Sequence, residues 1–193
     1  MKKFWRISVL TLVSVLSACS SLERVGAPQS AVSSTTDLQR NGRFAVLVYD
    51  KTQDKNIDSV QGNFEWLSAG ERVVLDLSSP LGQVLARINV QPGLSQLTRS
   101  NGEVLEASSP DALVREVIGR QFPVSGLQYW IRGQAMPGVA LETPEYDAQQ
   151  RLVKFVQAGW VVTAQDYDGM GPKRFHLLNN QTMERITIRI VMN

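Results

Sequence analysis

The chain is 193 residues long and 43% hydrophobic, with a single Cys and a single His. Neither an internal disulfide nor a multi-His metal site can therefore form within it. Its formal charge of +2 misleads: three of the 20 basic residues and none of the 18 acidic ones lie in the first 18 positions, which leaves 17 against 18, a net −1, and no basic nucleic-acid footprint.

Lys2, Lys3 and Arg6 make a basic start, Ile7 to Leu16 an apolar run, and Ser17-Ala18 a small-residue exit. Together residues 1–18 read as an export signal. Ten residues rise about 15 Å as a helix, roughly half a hydrocarbon core, too short for a permanent span. Leu16-Ser17-Ala18-Cys19 resembles the bacterial lipobox, in which the Cys thiol takes a diacylglycerol before cleavage. Cys19 is then the lipidated first residue of the mature chain; the alternative is a plain secretory signal followed by a chance Cys. Ser20 stands where an Asp would mark inner-membrane retention, which points to the outer membrane.

Residues 20–36 are mostly Ser, Thr, Ala, Gly and Pro, with little to bury. With Cys19 they read as a lipidated, flexible tether over 19–36. Extended, it reaches roughly 55–60 Å; as a coil it spans about 20–25 Å. The remainder, 37–193, is enough for one domain with a substantial core.

From Gly42 onward strands dominate. Phe44, Val46 and Val48 share one face of Gly42–Asp50, and Val60, Gly62, Phe64 and Trp66 share one face of Ser59–Leu67. Leu75 and Leu77 alternate with Val74 and Asp76, and Val84, Ala86, Ile88 and Val90 with Leu85, Arg87 and Asn89. Ile186, Ile188 and Ile190 alternate with Thr187 and Arg189. Period-two patterning marks strands with one apolar face. Turn signals at Ala69-Gly70, Ser79–Gly82, Pro92-Gly93, Asn101-Gly102, Ala158-Gly159 and Asn179-Asn180 are closely spaced, which favours antiparallel hairpins. About ten strands are expected, in a meander that curls into a barrel or half-barrel.

Two helices interrupt the meander. Ser109-Pro110-Asp111 supplies an N-cap, a Pro at the first position and an acid in the first turn; Leu113, Val114, Val117 and Ile118 then recur at helical spacing up to Gly119. A shorter helix starts near Ser125 and carries Leu127, Trp130 and Ile131 before Gly133. A third is expected over part of Thr35–Arg40.

Catalysis has little to work with. His176 lies in a strand-like run without a nucleophile setting nearby, and Asp166 and Asp168 fall in an expected turn beside Gly169 and Gly171. No enzyme and no cofactor is indicated. The oddity is Ser79-Pro80-Leu81-Gly82, which fits a type I turn and puts Leu81 at the tip, where polar residues are the norm. Leu81 either folds back, is one of the scattered exposed apolar residues of any protein, or is a finger for a bilayer or a partner's cavity. Phe44, Phe64, Trp66 and Trp130 read by default as core, although a curled sheet under a helical lid can leave an apolar cavity.

Several segments, taken in order, resemble the LolB family of outer-membrane lipoprotein receptors. They are the lipobox, Gly42–Val46, Gly62–Trp66, Leu75–Gln83, Leu127–Gly133, Gln157–Trp160 and Arg185–Ile188. Two departures stand out: Ala135 replaces an expected Pro, and Asn193 an expected terminal aromatic. The resemblance implies a mostly β fold, an antiparallel unclosed β-barrel (half-barrel) with an α-helical lid over an apolar cavity. Candidate lining residues are Phe44, Val46, Phe64, Trp66, Leu75, Leu77, Trp130 and Ile131. It implies a monomer that accepts the acyl chains of lipoprotein cargo from a soluble, LolA-like periplasmic carrier and releases them into outer-membrane lipid, without metal or nucleotide. The family's protruding apolar loop residue falls on Leu81. A structural lipoprotein that scaffolds envelope assembly, with a packed β-domain, is the competing expectation.

Overall fold

The computed structural model describes residues 37–180 and 183–193. The signal segment, Cys19 and the tether lie outside the described residues. Eleven strands form one antiparallel sheet: β1 (Leu38–Asp50), β2 (Lys55–Ala69), β3 (Arg72–Ser78), β4 (Val84–Gln91), β5 (Leu94–Arg99), β6 (Val104–Ala107), β7 (Glu142–Tyr146), β8 (Leu152–Gln157), β9 (Trp160–Asp168), β10 (Gly171–Asn179) and β11 (Glu184–Met192). Their order is β6-β5-β4-β3-β2-β1-β11-β10-β9-β8-β7, so β6 and β7 are edges and the sheet is an open half-barrel. It is the arrangement expected of short hairpins, with one long link: β1 pairs with β11 and joins two meanders.

That link exists because both strands alternate in phase. Phe44 faces Ile190, Val46 faces Ile188 and Val48 faces Ile186 across the β1–β11 pair. On the other side Gly42 faces Phe64, and Phe64 and Trp66 face Leu77 and Leu75. All these residues point to one face, and a one-residue slip would turn each of them to solvent.

Two helices link the edges. α1 (Pro110–Ile118) is capped by Ser109, whose Oγ accepts the Ala112 N–H at 3.2 Å, and ends at Gly119. α2 (Val124–Trp130) begins where Asp111 Oδ1 accepts the Ser125 N–H at 2.8 Å. Leu113, Val114, Val124, Trp130 and Ile131 join the core of the sheet. α1 follows the expected caps and spacing, and α2 begins within a residue of the expected Ser125, with Pro123 at its N-cap and no side-chain cap.

Three expectations are corrected. Residues 38–40 are the start of β1, not a helix, because Leu38, Gln39 and Arg40 pair with Ser68, Leu67 and Trp66. The strand count is eleven, since two short edge strands close the series. Asp166 and Asp168 belong to the end of β9, and the β9–β10 turn is formed by Gly169 and Met170.

Candidate functional site

The inward face is decided by the register: even-numbered residues of β1 and β2, and odd-numbered residues of β3. Trp66 is 2% exposed and Val46, Phe64 and Leu75 are buried, while Phe44 and Leu77 are half-buried. Trp130 and Ile131 come down on the same interior from the C-terminal end of α2, both fully buried. All eight candidate residues are therefore on one buried surface. The other half of that surface was missed as a site: Phe155, Trp160, Val162, Phe175, Leu177, Ile186 and Ile188 belong to the same core. Their signal was the same period-two alternation in β8 to β11.

Burial is uneven along this face. It is complete at Trp66 and weakens through Phe44, Leu77 and Ala86. Val60, directly opposite Val46, is 46% exposed. Burial thus weakens at the corner of β2, β3 and β4 beside the β3–β4 turn, while Val48 and Ile186 at the same end of β1 and β11 stay buried.

That turn is built without help from Leu81. The Gly82 N–H donates to Ser79 O at 2.9 Å, the Ser79 N–H to Gln83 O at 2.8 Å, and Asn63 Nδ2 to Ser79 O at 2.9 Å. Gly82 has φ 86°, while Pro80 and Leu81 keep negative φ, as a type I turn requires. Leu81 is 92% exposed, which removes the reading in which it folds back on the core.

Gln157 was not foreseen as important. It is a Gln at an inward position of β8 with no exposed surface. Its Oε1 accepts Trp130 Nε1–H at 2.9 Å and the Met136 N–H at 2.8 Å; its Nε2 donates to Met136 O at 2.9 Å and Val139 O at 3.0 Å. The side chain pins both α2 and the loop after it to the sheet. Trp130 also meets Phe155 edge-on, with centroids 5.8 Å apart. Arg132 adds a second tie, donating to Gln128 O at 2.7 Å and Ser68 Oγ at 2.8 Å. Beyond α1, Arg120 pairs with Glu184 at 2.9 Å and Asp58 at 3.3 Å.

At the far end of the sheet Arg40, 3% exposed, makes a two-pronged pair with Asp168 at 2.7 and 2.8 Å. These bonds, helped by the Met170 and Gly171 N–H groups, hold the Asp168 carboxyl at a pKa of about 2, against desolvation. Its folded pKa is below the unfolded value, so the stabilisation is complete above about pH 4 and lost as pH falls towards 2. With the Asp168 side chain 31% exposed, screening reduces it to about 1–2 kcal/mol. Acid unfolding of wild type and Asp168→Asn should therefore converge near pH 2 and differ above pH 4. An equal difference at both ends would disprove the assignment.

His176 stands exposed on the outer face of β10, away from the interior. Among the described residues no group of three or more His, Cys, Asp or Glu is placed to hold a metal, and no helix is long and apolar enough to cross a membrane.

Residues 36–193 match the family model "Outer membrane lipoprotein LolB". The chain is 38% identical to the outer-membrane lipoprotein LolB of Bordetella pertussis over 187 residues, 96% of this chain and 90% of that one. It is 39% identical to that of Bordetella parapertussis over 183 residues, 94% and 88%. The LolB of Cupriavidus necator is 32% identical over 185 residues, 93% and 90%. Among solved structures, the ywiB protein of Bacillus subtilis aligns at 10% identity over 80% of this chain and 92% of that one, with a TM-score of 0.27, too low to bear on the fold. An open antiparallel half-barrel with two short helices, matched over its whole length, belongs to the LolB family of outer-membrane lipoproteins, whose role lies in lipoprotein localisation.

Proposed function

We propose that this protein is the outer membrane's acceptor for acylated proteins. It takes their acyl chains from a soluble, LolA-like periplasmic carrier into the half-barrel and releases them into the bilayer, acting as a monomer and without an energy source. Cys19 carries its own lipid anchor, and residues 19–36 give the domain reach. The observation that carries this reading is Leu81: an apolar side chain 92% exposed at a turn that does not use it, beside the corner where Phe44, Leu77 and Ala86 are only half-buried.

The energetics agree. An acyl chain gains about 0.8 kcal/mol per buried CH₂, so an acceptor must offer comparable burial or the cargo would not leave its carrier. Without nucleotide, direction comes from graded affinity: carrier, acceptor, bilayer. Phe44, Val46, Phe64, Trp66, Leu75, Leu77, Trp130 and Ile131 are the lining we assign. The scaffold reading is favoured by one observation, the complete burial of Leu113, Trp130, Ile131, Val162 and Leu177.

Native mass spectrometry of the domain without its anchor separates the two. Among the described residues every buried core side chain lies between Leu38 and Met192, so a piece covering residues 34–193 carries that core whole. Mixed with a triacylated peptide, it should retain one molecule per domain, whereas the unacylated peptide should not bind. Equal, negligible binding of both peptides would favour the packed scaffold.

A further inference from the structure

The outer face of the sheet carries a cluster of basic side chains that the interior does not explain. Arg43 on β1, Arg189 and Arg185 on β11, and Arg174 and His176 on β10 are all exposed. In the register, Arg43 and Arg174 both stand opposite Val191, and Arg189 stands opposite His176. Arg189 is thus the diagonal neighbour of both Arg43 and Arg174, at a spacing of about 7–8 Å.

Like charges so close repel one another, and the nearby carboxylates offset them only in part. Asp166 pairs with Arg174 at 3.0 Å. Glu65, diagonal to Arg43 on β2, is bonded to Gln39 at 3.1 Å instead. Arg185 lies over the Tyr49 ring at 4.4 Å. Among the described residues, Arg43 and Arg189 have no carboxylate within ion-pair distance. Since the chain beyond the first 18 residues has a net charge of −1, this concentration of positive charge is a matter of placement, not of composition.

Its position is informative. The row that holds Arg43, Val191 and Arg174 continues through Asn63, which faces Arg43 on β2. Asn63 is the residue whose side chain holds Ser79 O, at the base of the Leu81 turn. An apolar finger and a basic row are therefore joined on one surface, with exposed Val191 and Leu47 between the charges. Apolar tips beside basic side chains suit a bilayer with anionic headgroups, because the tip enters the hydrocarbon boundary while guanidinium groups bind phosphate.

We propose that Arg43, Arg189 and Arg174 form a binding surface for anionic phospholipid headgroups, which docks the outer face of the half-barrel on the membrane beside Leu81. The proposal rests on the reading in which Leu81 meets a bilayer.

The test is sedimentation of the anchor-free domain, residues 34–193, with two kinds of vesicle. One is phosphatidylethanolamine alone; the other contains about one quarter phosphatidylglycerol. Each basic residue near an anionic surface strengthens binding about fivefold. Wild type should therefore bind the anionic vesicles at least tenfold more tightly, and about 0.5 M NaCl should remove the difference. Arg43→Glu/Arg189→Glu should bind both vesicles alike, while Arg72→Glu, an exposed base at the opposite end of β3, should behave as wild type. Leu81→Asp should weaken binding to both vesicles by a similar factor and keep the lipid preference, so failure of the Leu81 reading and failure of the basic surface are told apart. A wild type indifferent to phosphatidylglycerol and salt overturns the proposal, as does a double variant that keeps the preference. Loss of carrier binding in the double variant, with vesicle binding intact, also overturns it and assigns the surface to an acidic protein. If the double variant melts early, Arg189→Gln together with the wild-type salt dependence decides the matter.

Discussion

Leu81→Asp is expected to fold normally, accept cargo from the carrier, and fail to pass it to liposomes. The turn keeps its three hydrogen bonds because none involves the Leu81 side chain, and Gly82 keeps its positive φ. With the residue 92% exposed, stability should change by no more than about 0.5 kcal/mol. Delivery is different. Burying a Leu side chain contributes about 1.5–3 kcal/mol, which the carboxylate forfeits, and the charge adds its own resistance to entering hydrocarbon. A loss of that size is a slowing of about tenfold or more. The assay scores the two steps separately, carrier to acceptor and acceptor to liposome. Normal release by the variant would remove the finger from the mechanism, whereas loss of both steps would place Leu81 at the carrier contact instead.

Gln157→Leu should be the most damaging single change in the half-barrel that leaves its apolar volume nearly intact. It orphans Trp130 Nε1, the Met136 N–H and carbonyl, and the Val139 carbonyl. A buried polar group left unpaired costs about 1–3 kcal/mol. Water can reach part of the Met136–Val139 loop, so the total should be about 3–5 kcal/mol, a drop in Tm of roughly 6–20 °C for a domain of this size. Trp130→Phe should cost much less in the Gln157→Leu background than in wild type, because the indole N–H has already lost its acceptor. A loss below about 1 kcal/mol for Gln157→Leu would show that α2 and its loop are held by apolar packing alone.

Much of the fold was legible because its signals are local. Alternation over five to nine residues identifies a strand wherever it occurs, and Ser109-Pro110 with Gly119 bounds α1 by backbone chemistry within a single turn. Leu81 was legible for the same reason. A Ser-Pro-Leu-Gly turn dictates its own geometry, and the geometry leaves the third residue at the tip.

The misreadings share the opposite cause. Leu38–Arg40 offers too short a pattern to choose between strand and helix, and its pairing with Trp66–Ser68 lies across the whole β1–β2 hairpin. Gln157 looks like one more polar residue in a strand until α2 supplies an indole and a loop for it to hold. Arg40 carries no local sign of burial, since its partner Asp168 is 128 residues away.

From the sequence alone came the expectation of an export signal before a lipobox-like Cys19, and, as the structure bears out, a β-rich domain of hairpins, two helices and an exposed Leu at one turn. Each depends on neighbours a few residues apart. The residue pattern left barrel and half-barrel both open and the family resemblance implied the open form; the structure shows it, since β6 and β7 each pair on one side only. Tertiary structure alone decided which parity of each strand faces inward. It also gathered Arg43, Arg174 and Arg189 from three strands onto one outer surface. Register between distant strands is set by the whole curled sheet, and no short window of sequence contains it.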